Sequence, residues 1–214
     1  MWTLHPEQEK LATISYYMTD PEVRRRSWQM RRAMYALDPQ PNAAHRAIAE
    51  LDSSGAVALR VITQNTDGLH QLAGLPARKV LELHGTSRSV VCTGCGARTP
   101  VQHAFDRIDA GEPDPPCLDC GAILKTATVM FGENLDPSVL HEAAAIARAC
   151  TVFFAVGTSL RVYPAAGLVD LAAGGGARLV IVNAEPTPYD RVADEVVREP
   201  ISEALPRLLR ELTS

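Results

Sequence analysis

Residues 151–159, TVFFAVGTS, join a continuous apolar run to a cluster of glycine and hydroxyl side chains. Two other stretches follow the same order, residues 56–67 (AVALRVITQNTD) and residues 178–185 (RLVIVNAE). Strands that are apolar throughout are typical of a parallel sheet covered by helices on both faces. The sequence therefore predicts an α/β fold with a doubly wound parallel, Rossmann-like sheet.

The polar clusters after these strands would share the carboxyl edge of the sheet, where open α/β proteins bind ligands. Small residues let backbone N–H groups approach phosphates, and an acid just past a strand can accept hydrogen bonds from ribose hydroxyls. Each cluster alone is also typical of an ordinary turn, and the G-x-G-x-x-G fingerprint is absent. Three successive clusters favour a nucleotide site. Its candidate residues are Gln64, Asn65, Thr66, Asp67, Gly157, Thr158, Ser159, Asn183, Ala184 and Glu185.

Four of the five cysteines form two C-x-x-C pairs, Cys92 with Cys95 and Cys117 with Cys120. Four thiolates close a tetrahedral shell around Zn²⁺ and leave no position for water, so the predicted zinc site is structural. Redox thiols are the alternative interpretation. We predict a small inserted zinc-binding module at residues 88–126, and a Rossmann-like domain made of residues 1–87 and 127–214. Cys150 is interpreted as a small core residue.

The composition excludes several classes of protein. Hydrophobic residues make up 46% and charged residues 21%, as in globular proteins. A net charge of -4 argues against a nucleic-acid-coating surface, and the apolar runs are too short to span a bilayer. The opening MWTLHPEQEK does not resemble a secretory signal. Cysteines in two C-x-x-C pairs indicate a reducing compartment. We expect a cytoplasmic protein that binds neither nucleic acid nor membrane.

Residues that are typical of helix starts lie between the predicted strands. Asp20-Pro21 and Asp136-Pro137 each combine an N-cap with proline at the first helical position. We predict an arginine-rich helix over residues 19–37 that is exposed or lies over a cleft, and the simplest interpretation of Arg24, Arg25, Arg26, Arg31 and Arg32 is a solvated face. Further helices are predicted at 43–51, from 67 for about two turns, at 136–149, at 164–173, and at 202–213 with an interruption at Pro206. A short strand is predicted at 80–83.

Six motifs in this order resemble the sirtuins, the NAD-dependent protein lysine deacylases. They are TQNTDGLHQLAG, LELHGT, the two C-x-x-C pairs, VMFGENL, VGTSLRVYPAA and VNAEPTP, and the resemblance runs from about Trp2 to the C-terminus. It implies NAD and Zn²⁺ as cofactors and acyl-lysine proteins as substrates. The implied reaction is a transfer of the acyl group that yields nicotinamide, free lysine and O-acyl-ADP-ribose.

The resemblance also implies a role for each matching residue. His84 would be the general base, with Asn65 and Asp67 acting beside it on the nicotinamide ribose. NAD would bind Gln64, Thr66, Gly157, Thr158, Ser159, Asn183, Ala184, Glu185 and Ile201 as well. A substrate peptide would add as a strand to Val129, Phe131, Gly132 and Val162, with Met130 and Arg161 nearby. Cys92, Cys95, Cys117 and Cys120 would hold the zinc.

The printed chain departs from the sirtuin pattern at two places. No strand and G-A-G-x-S segment precede MWTLHPE, so we expect a chain extended through such a segment to be more stable and to bind NAD more tightly. The alternatives are a non-catalytic, zinc-stabilised nucleotide-binding or scaffold protein and an ADP-ribosyltransferase. Trp28-x-x-Arg31 stands where sirtuins that prefer acidic acyl groups carry Tyr-x-x-Arg. We therefore expect acetyl-lysine as the substrate, with succinyl or malonyl not excluded.

Overall fold

The computed structural model describes residues 6–212, and side chains from residue 9. The opening five residues, which begin the resemblance to sirtuins, lie outside this range. The chain divides into two compact units. Unit 1 is Met1–Pro39, Asn65–Gly68 and His84–Leu135, and unit 2 is Gln40–Gln64, Leu69–Leu83 and Asp136–Ser214. The predicted boundaries of a module at 88–126 stay a prediction.

The described residues begin with four consecutive helices, and strands and helices then follow in mixed order. The helices are α1 (Pro6–Leu11), α2 (Ile14–Thr19), α3 (Pro21–Ala36), α4 (Ala43–Ser54), α5 (Leu69–Leu72), α6 (Val101–Asp109), α7 (Pro137–Ala149), α8 (Gly167–Gly174) and α9 (Ile201–Glu211), with a 3-10 turn at Ala77–Lys79. The strands are β1 (Val61–Thr63), β2 (Val80–Glu82), β3 (Gly85–Cys92), β4 (Arg98–Pro100), β5 (Leu124–Thr128), β6 (Val152–Val156), β7 (Arg178–Val182) and β8 (Glu195–Val197). Across residues 6–212, no helix has the length and apolarity that crossing a membrane requires.

Unit 1 is built on an antiparallel sheet with the strand order β4-β3-β5. Its core joins Trp28 of α3 to Phe105 of α6 and to Val90 and Cys92 of β3. The Trp28 and Phe105 rings meet edge to face, with 6.3 Å between their centroids. The helix α6 was not predicted, because residues 88–126 show little helical periodicity.

Unit 2 contains the parallel sheet β6-β7-β8 and the parallel pair β1-β2. Alternate side chains of β7 are buried on opposite faces of the sheet. Leu179 and Ile181 pack in a cluster with Val169 of α8, whereas Val180 and Val182 pack in a cluster with Leu208 of α9. Burial on both faces confirms the predicted parallel α/β architecture. The strand β8 was not predicted.

Both predicted helix starts are confirmed. The Asp20 carboxylate accepts from the backbone N–H groups of Glu22 at 2.8 Å and Val23 at 3.4 Å. The Asp136 carboxylate accepts from the N–H groups of Ser138 at 2.8 Å and Val139 at 3.5 Å. These caps satisfy orphan donors of the first turn through residues adjacent in sequence, which is why the sequence could predict them.

The predicted strand over residues 56–63 was too long, and the predicted two-turn helix after Asp67 was also too long. The strand β1 covers Val61–Thr63 because its partner β2 is equally short, being preceded by the 3-10 turn Ala77–Lys79. The helix α5 has four residues, Leu69–Leu72. It ends before Gly74, which adopts φ 104°, a backbone conformation that opposes helix continuation.

The predicted interruption of the last helix at Pro206 was wrong. The helix α9 continues through Pro206 from Ile201 to Glu211. An interior proline costs a helix about 3 kcal/mol. The helix buries Ala204, Leu205, Leu208 and Leu209, and each large apolar side chain contributes about 1.5–3 kcal/mol, which outweighs that cost.

The arginine-rich helix α3 is not simply an exposed one. Trp28 is 0% exposed, and Val23 and Ser27 are buried with it. The Arg24 Nε donates to Asp114 at 2.8 Å. Burial lowers the pKa of the Arg31 guanidinium. The prediction of a solvated face is therefore wrong for Arg24 and Arg31, while Arg26 and Arg32 are exposed as predicted.

The buried residue Tyr17 fastens α2 to the sheet of unit 1. Its hydroxyl donates to the Leu124 carbonyl oxygen at 2.8 Å, and burial raises its pKa. We expect Tyr17→Phe to lower the free energy of unfolding by about 1–2 kcal/mol, because the buried carbonyl loses its donor. Tyr16→Phe, one position earlier and 47% exposed, is the control and should leave stability unchanged. Equal urea midpoints for the two variants would contradict this role of Tyr17.

Candidate functional site

Two loops of the same construction present the four cysteines of unit 1. In the first, the Cys92 N–H donates to the Ala97 carbonyl at 2.9 Å, and the Gly96 N–H donates to the Cys92 carbonyl at 3.1 Å. In the second, the Cys117 N–H donates to the Ala122 carbonyl at 2.8 Å, and the Gly121 N–H donates to the Cys117 carbonyl at 2.9 Å. Gly96 and Gly121 both adopt φ 74°, a left-handed conformation that glycine adopts without strain.

The four sulfur atoms converge, with all Sγ atoms within 4.8 Å of one another. The Sγ atoms of Cys92 and Cys120 are 3.4 Å apart, and those of Cys95 and Cys117 are 3.7 Å apart. The backbone N–H of Cys95 lies 3.4 Å from the Cys92 Sγ and that of Gly94 lies 3.3 Å from it. The Cys95 N–H, then the Gly94 N–H, lower the pKa of the Cys92 thiol to about 6.

The four cysteine sulfurs fit a structural Zn²⁺ ion. A tetrahedral zinc site uses thiolate ligands, and backbone N–H donors stabilise a thiolate. A Cβ added at Gly94 would lie 2.7 Å from the Ala122 Cβ and 3.4 Å from the Cys120 Sγ, so the two loops approach each other as closely as glycine allows. All four sulfurs lie around one position that a metal ion could occupy, as the spacing of the C-x-x-C pairs predicted.

The predicted catalytic segments of unit 1 are joined by hydrogen bonds to backbone carbonyls. The Ser87 N–H donates to the Thr66 carbonyl at 2.8 Å, and the Ser87 hydroxyl donates to the same oxygen at 2.7 Å. The Arg88 Nε donates to the Asp67 carbonyl at 2.7 Å. The loop Asn65–Gly68 is therefore fastened to the start of β3, directly after His84. Asn65 is exposed, and the side chains of Asp67 and His84 are half-buried.

Two glycines permit this close approach. Gly68, at φ 70°, lies against the Arg88 side chain, so a Cβ there would overlap the guanidinium. Gly85, at φ 69°, lies against β5, and a Cβ there would overlap the Ala127 carbonyl oxygen. Any larger residue at Gly85 would push β3 away from β5 just after His84.

The predicted substrate segment, Val129 to Gly132, follows β5 directly. The Val129 N–H donates to the His84 carbonyl at 2.8 Å, which places this segment beside the predicted general base. The Phe131 N–H donates to the Ala12 carbonyl at 2.8 Å, and the Phe131 carbonyl accepts from Ile14 N–H at 3.0 Å. The Phe131 side chain is 59% exposed.

In unit 2 the carboxyl ends of β6 and β7 bring the remaining predicted residues together. The Gly157 N–H donates to the Val182 carbonyl at 2.9 Å, and the Gln64 Nε2 donates to the Thr158 hydroxyl at 3.4 Å. A Cβ added at Gly157, which has φ 63°, would lie 3.0 Å from the Ile201 Cδ1. The hydroxyl of Thr158 also accepts from the Leu160 N–H at 3.2 Å, which closes the turn after the strand.

A residue that sequence reasoning missed shapes the turn after β7. Arg198 donates to the carbonyls of Asn183 at 2.7 Å and Glu185 at 3.0 Å, and it pairs with the Asp190 carboxylate. The Asn183 Nδ2 donates to the Glu185 carbonyl at 2.7 Å. Arg198 and Arg88 both bond to the backbone carbonyls of loops. Every residue has such a carbonyl, so the sequence carries no motif that predicts these bonds.

The predicted site residues divide between the two units. Unit 1 holds Asn65, Thr66, Asp67, His84, Val129, Phe131, Gly132 and the four cysteines, and unit 2 holds Gln64, Gly157, Thr158, Ser159, Val162, Asn183, Ala184, Glu185 and Ile201. Val162, which is exposed, precedes Tyr163, whose hydroxyl lies 3.2 Å from that of Tyr189. Tyr189 in turn donates to Asp170 at 2.8 Å.

Comparison with known proteins identifies the family. The model of the Sir2 family matches residues 1–164. The chain is 69% identical over 212 residues to NAD-dependent protein deacetylase 2 of Streptomyces coelicolor, a match that covers 99% of this chain and 88% of that protein. The chain belongs to the Sir2 family.

Two solved structures extend the comparison. One is a Sir2 protein with a p53 peptide and NAD+, with a TM-score of 0.86 and 32% identity over 97% of this chain and 85% of that one. The other is Sir2 with the inhibitor EX-527, 2'-O-acetyl-ADP-ribose and a deacetylated p53 peptide, with a TM-score of 0.83 and 32% identity over 94% of this chain and 84% of that one. Both agree with the predicted fold class.

The zinc site can be tested by removing a ligand. We expect purified wild-type protein to carry one zinc ion per chain, and Cys92→Ser to weaken zinc binding more than about 100-fold, because the closed shell loses a thiolate. The melting temperature should fall with it. Cys150→Ser is the control, since that half-buried thiol lies outside the cluster and donates to the Ala147 carbonyl at 3.2 Å. Zinc-free wild-type protein, isolated reduced, would overturn the assignment.

Proposed function

We propose that this chain is an NAD-dependent protein-lysine deacetylase. With the consumption of one water molecule, it transfers the acetyl group of a modified lysine to the ADP-ribose part of NAD, and the products are nicotinamide, free lysine and O-acetyl-ADP-ribose. The Streptomyces relative is named as a deacetylase of this kind, and the related Sir2 structures hold NAD+, a peptide and 2'-O-acetyl-ADP-ribose. NAD is therefore a co-substrate, and Zn²⁺ is the structural metal of unit 1.

The observation that carries this proposal is the hydrogen bonding around His84. The segment that would bind substrate is joined to the His84 carbonyl through the Val129 N–H, at 2.8 Å. The loop that would hold the nicotinamide ribose is joined to the next residues through Ser87 and Arg88. A base, a ribose-binding loop and a peptide-binding segment are thus linked within one unit.

The residue types suit the chemistry. When bound, NAD would supply an anomeric carbon that can accept the acetyl oxygen as nicotinamide leaves. An imidazole nitrogen of His84 would accept the proton of the neighbouring ribose hydroxyl. Asp67 would accept a hydrogen bond from the carboxamide, and Asn65 would bind the nicotinamide ribose. These roles rest on the sirtuin motifs and are proposals for each residue.

We assign the phosphate and adenosine side of NAD to unit 2. The turn after β6 offers backbone and hydroxyl donors at Gly157, Thr158 and Ser159. The turn after β7 offers the Glu185 carboxylate for ribose hydroxyls, on a loop that Arg198 holds by two carbonyls. Ile201 lies close to Gly157 of the β6 turn, and Gln64 bonds to Thr158 of the same turn.

Acetyl-lysine suits this chain better than an acidic acyl-lysine. Trp28 occupies the position where an acid-selective sirtuin has tyrosine, and its indole is 0% exposed in the core of unit 1 against Phe105. A side chain packed there has no surface with which to contact an acyl group. Arg31 lies on the same helix, and its Nε is 3.4 Å from the Ser27 hydroxyl.

We also propose a cytoplasmic location. All five cysteines are free thiols, and four of them form the metal cluster. Zinc-binding thiols of this kind persist in a reducing compartment. Fractionation of cells that produce the untagged protein would test this location, and recovery with an extracytoplasmic marker would contradict it.

The general base can be tested with a matched pair of histidine variants. We expect His84→Ala to reduce the rate of NAD-dependent lysine release from an acetylated peptide about 10²–10⁴-fold, because general-base catalysis contributes that much. The melting temperature should stay close to that of the wild type. His103→Ala is the control, because His103 is exposed on α6.

The outcome separates the competing activities. Retained lysine release in His84→Ala would refute the assigned base. Transfer of ADP-ribose to protein without release of lysine by the wild-type chain would instead indicate an ADP-ribosyltransferase. NAD binding without any turnover would indicate the non-catalytic alternative.

A further inference from the structure

The turn that follows β5 is closed twice by one residue, Glu133. Its backbone N–H donates to the Met130 carbonyl at 3.0 Å. Its carboxylate Oε2 accepts from the Met130 N–H at 2.8 Å. The two bonds define a turn over residues 130–133, and Phe131 and Gly132 occupy its middle. The conformation of the predicted substrate segment thus depends on where the Glu133 carboxylate is held.

Lys125 holds that carboxylate in place. Its Nζ lies 2.9 Å from the Glu133 Oε2 and donates to the Thr128 carbonyl at 2.7 Å. The side chains of Lys125 and Glu133 are 11% and 26% exposed, so the pair is shielded from water. An ammonium group buried to this degree needs such partners, because an unpaired buried charge is strongly destabilising.

The contacts of Lys125 therefore lie on both sides of residues 129–132. Lys125 lies inside β5, opposite Val91 of β3, and this ladder is continuous with Leu124 opposite Cys92. Glu133 lies at the far end of the turn. The ammonium group contacts both ends, at Thr128 and at Glu133, so residues 129–132 are clamped between two fixed points.

We propose that Lys125 and Glu133 are positioning residues for the substrate peptide. They touch neither NAD nor the acetyl group; they act by fixing the backbone of residues 129–132, to which the peptide adds as a strand. This role rests on the proposed deacetylase function. A strand added to a preformed edge binds without the cost of ordering that edge, so the pair acts on peptide affinity and not on the chemical step.

Kinetics with separate variation of each substrate tests the proposal. We expect Lys125→Met and Glu133→Gln to raise KM for an acetyl-lysine peptide about tenfold, with kcat and the KM for NAD changed less than about twofold. Lys125→Arg, which keeps the charge and its donors, should restore most of the peptide affinity. Glu133→Gln keeps the size of the side chain, so it remains informative if Lys125→Met folds poorly.

A matched control separates positioning from general destabilisation. Arg107 and Glu112 form another ion pair of unit 1, with 2.6 Å between the Arg107 Nε and the Glu112 Oε2, and Arg107 also donates to the Pro116 carbonyl. Arg107→Met breaks this pair far along the chain from residues 129–132. It should lower the melting temperature without raising the peptide KM. An equal rise of KM in Arg107→Met would overturn the proposal.

Amide hydrogen exchange supplies a readout that does not require turnover. In Lys125→Met and Glu133→Gln, the amides of residues 129–133 should exchange about tenfold faster, while those of β3 and the zinc content stay unchanged. Unchanged exchange in this segment, or a fall of kcat with an unchanged peptide KM, would overturn the proposal. If the wild-type chain releases no lysine, the deacetylase assignment fails, and faster local exchange together with weaker binding of a fluorescent acetyl-lysine peptide still decides the positioning role.

Discussion

The antiparallel pairing of β3 with β5 is the interaction on which unit 1 depends. At one end Cys92, one of the candidate zinc ligands, stands opposite Leu124, and at the other Gly85 stands opposite Thr128. The ladder shifts register between Gly85 and Val90, and the absence of a Cβ at Gly85 lets the strands close again next to His84. A single pair of strands thereby connects the zinc-binding loops to the residues we propose for catalysis and peptide binding.

Polar side chains that bond to backbone carbonyls hold the irregular segments of the site. Arg88 binds the Asp67 carbonyl, Arg198 binds those of Asn183 and Glu185, and Lys125 binds that of Thr128. A loop has too few apolar contacts to fix its own conformation, whereas a charged donor forms strong, directional hydrogen bonds. Within these loops the three cations bond to backbone carbonyls, and Arg198 and Lys125 also pair with the carboxylates of Asp190 and Glu133.

The two units obtain their stability differently. Unit 2 buries β7 on both faces, with α8 on one side and α9 on the other, and this apolar core tolerates even Pro206 within a helix. Unit 1 has a buried cluster around Trp28 and Phe105, and two of its members, Cys92 and Cys117, belong to the four cysteines that could hold a metal ion. The candidate zinc ligands therefore belong to the hydrophobic core of unit 1 as well as to its loops.

Features that depend on neighbours in sequence could be predicted from the chain alone. They include the parallel α/β class from the apolar strands, the caps at Asp20 and Asp136, and the convergence of four cysteines in two C-x-x-C loops. The residues of the candidate site were likewise named from motifs, and their individual roles stay predictions. Each of these signals is local, since a cap, a strand pattern or a ligand pair extends over only a few residues.

Contacts between distant segments were decided by the tertiary structure. Trp28 turned out to be core because Phe105, 77 positions later, packs against it, and β1 is short because β2 is short. The link between Val129 and His84 and the ion pair of Lys125 with Glu133 could not be deduced from composition or periodicity. The physical reason is that a hydrogen bond or a packed ring needs a partner at a defined distance in space, and sequence spacing alone does not specify that distance once the chain has turned back on itself.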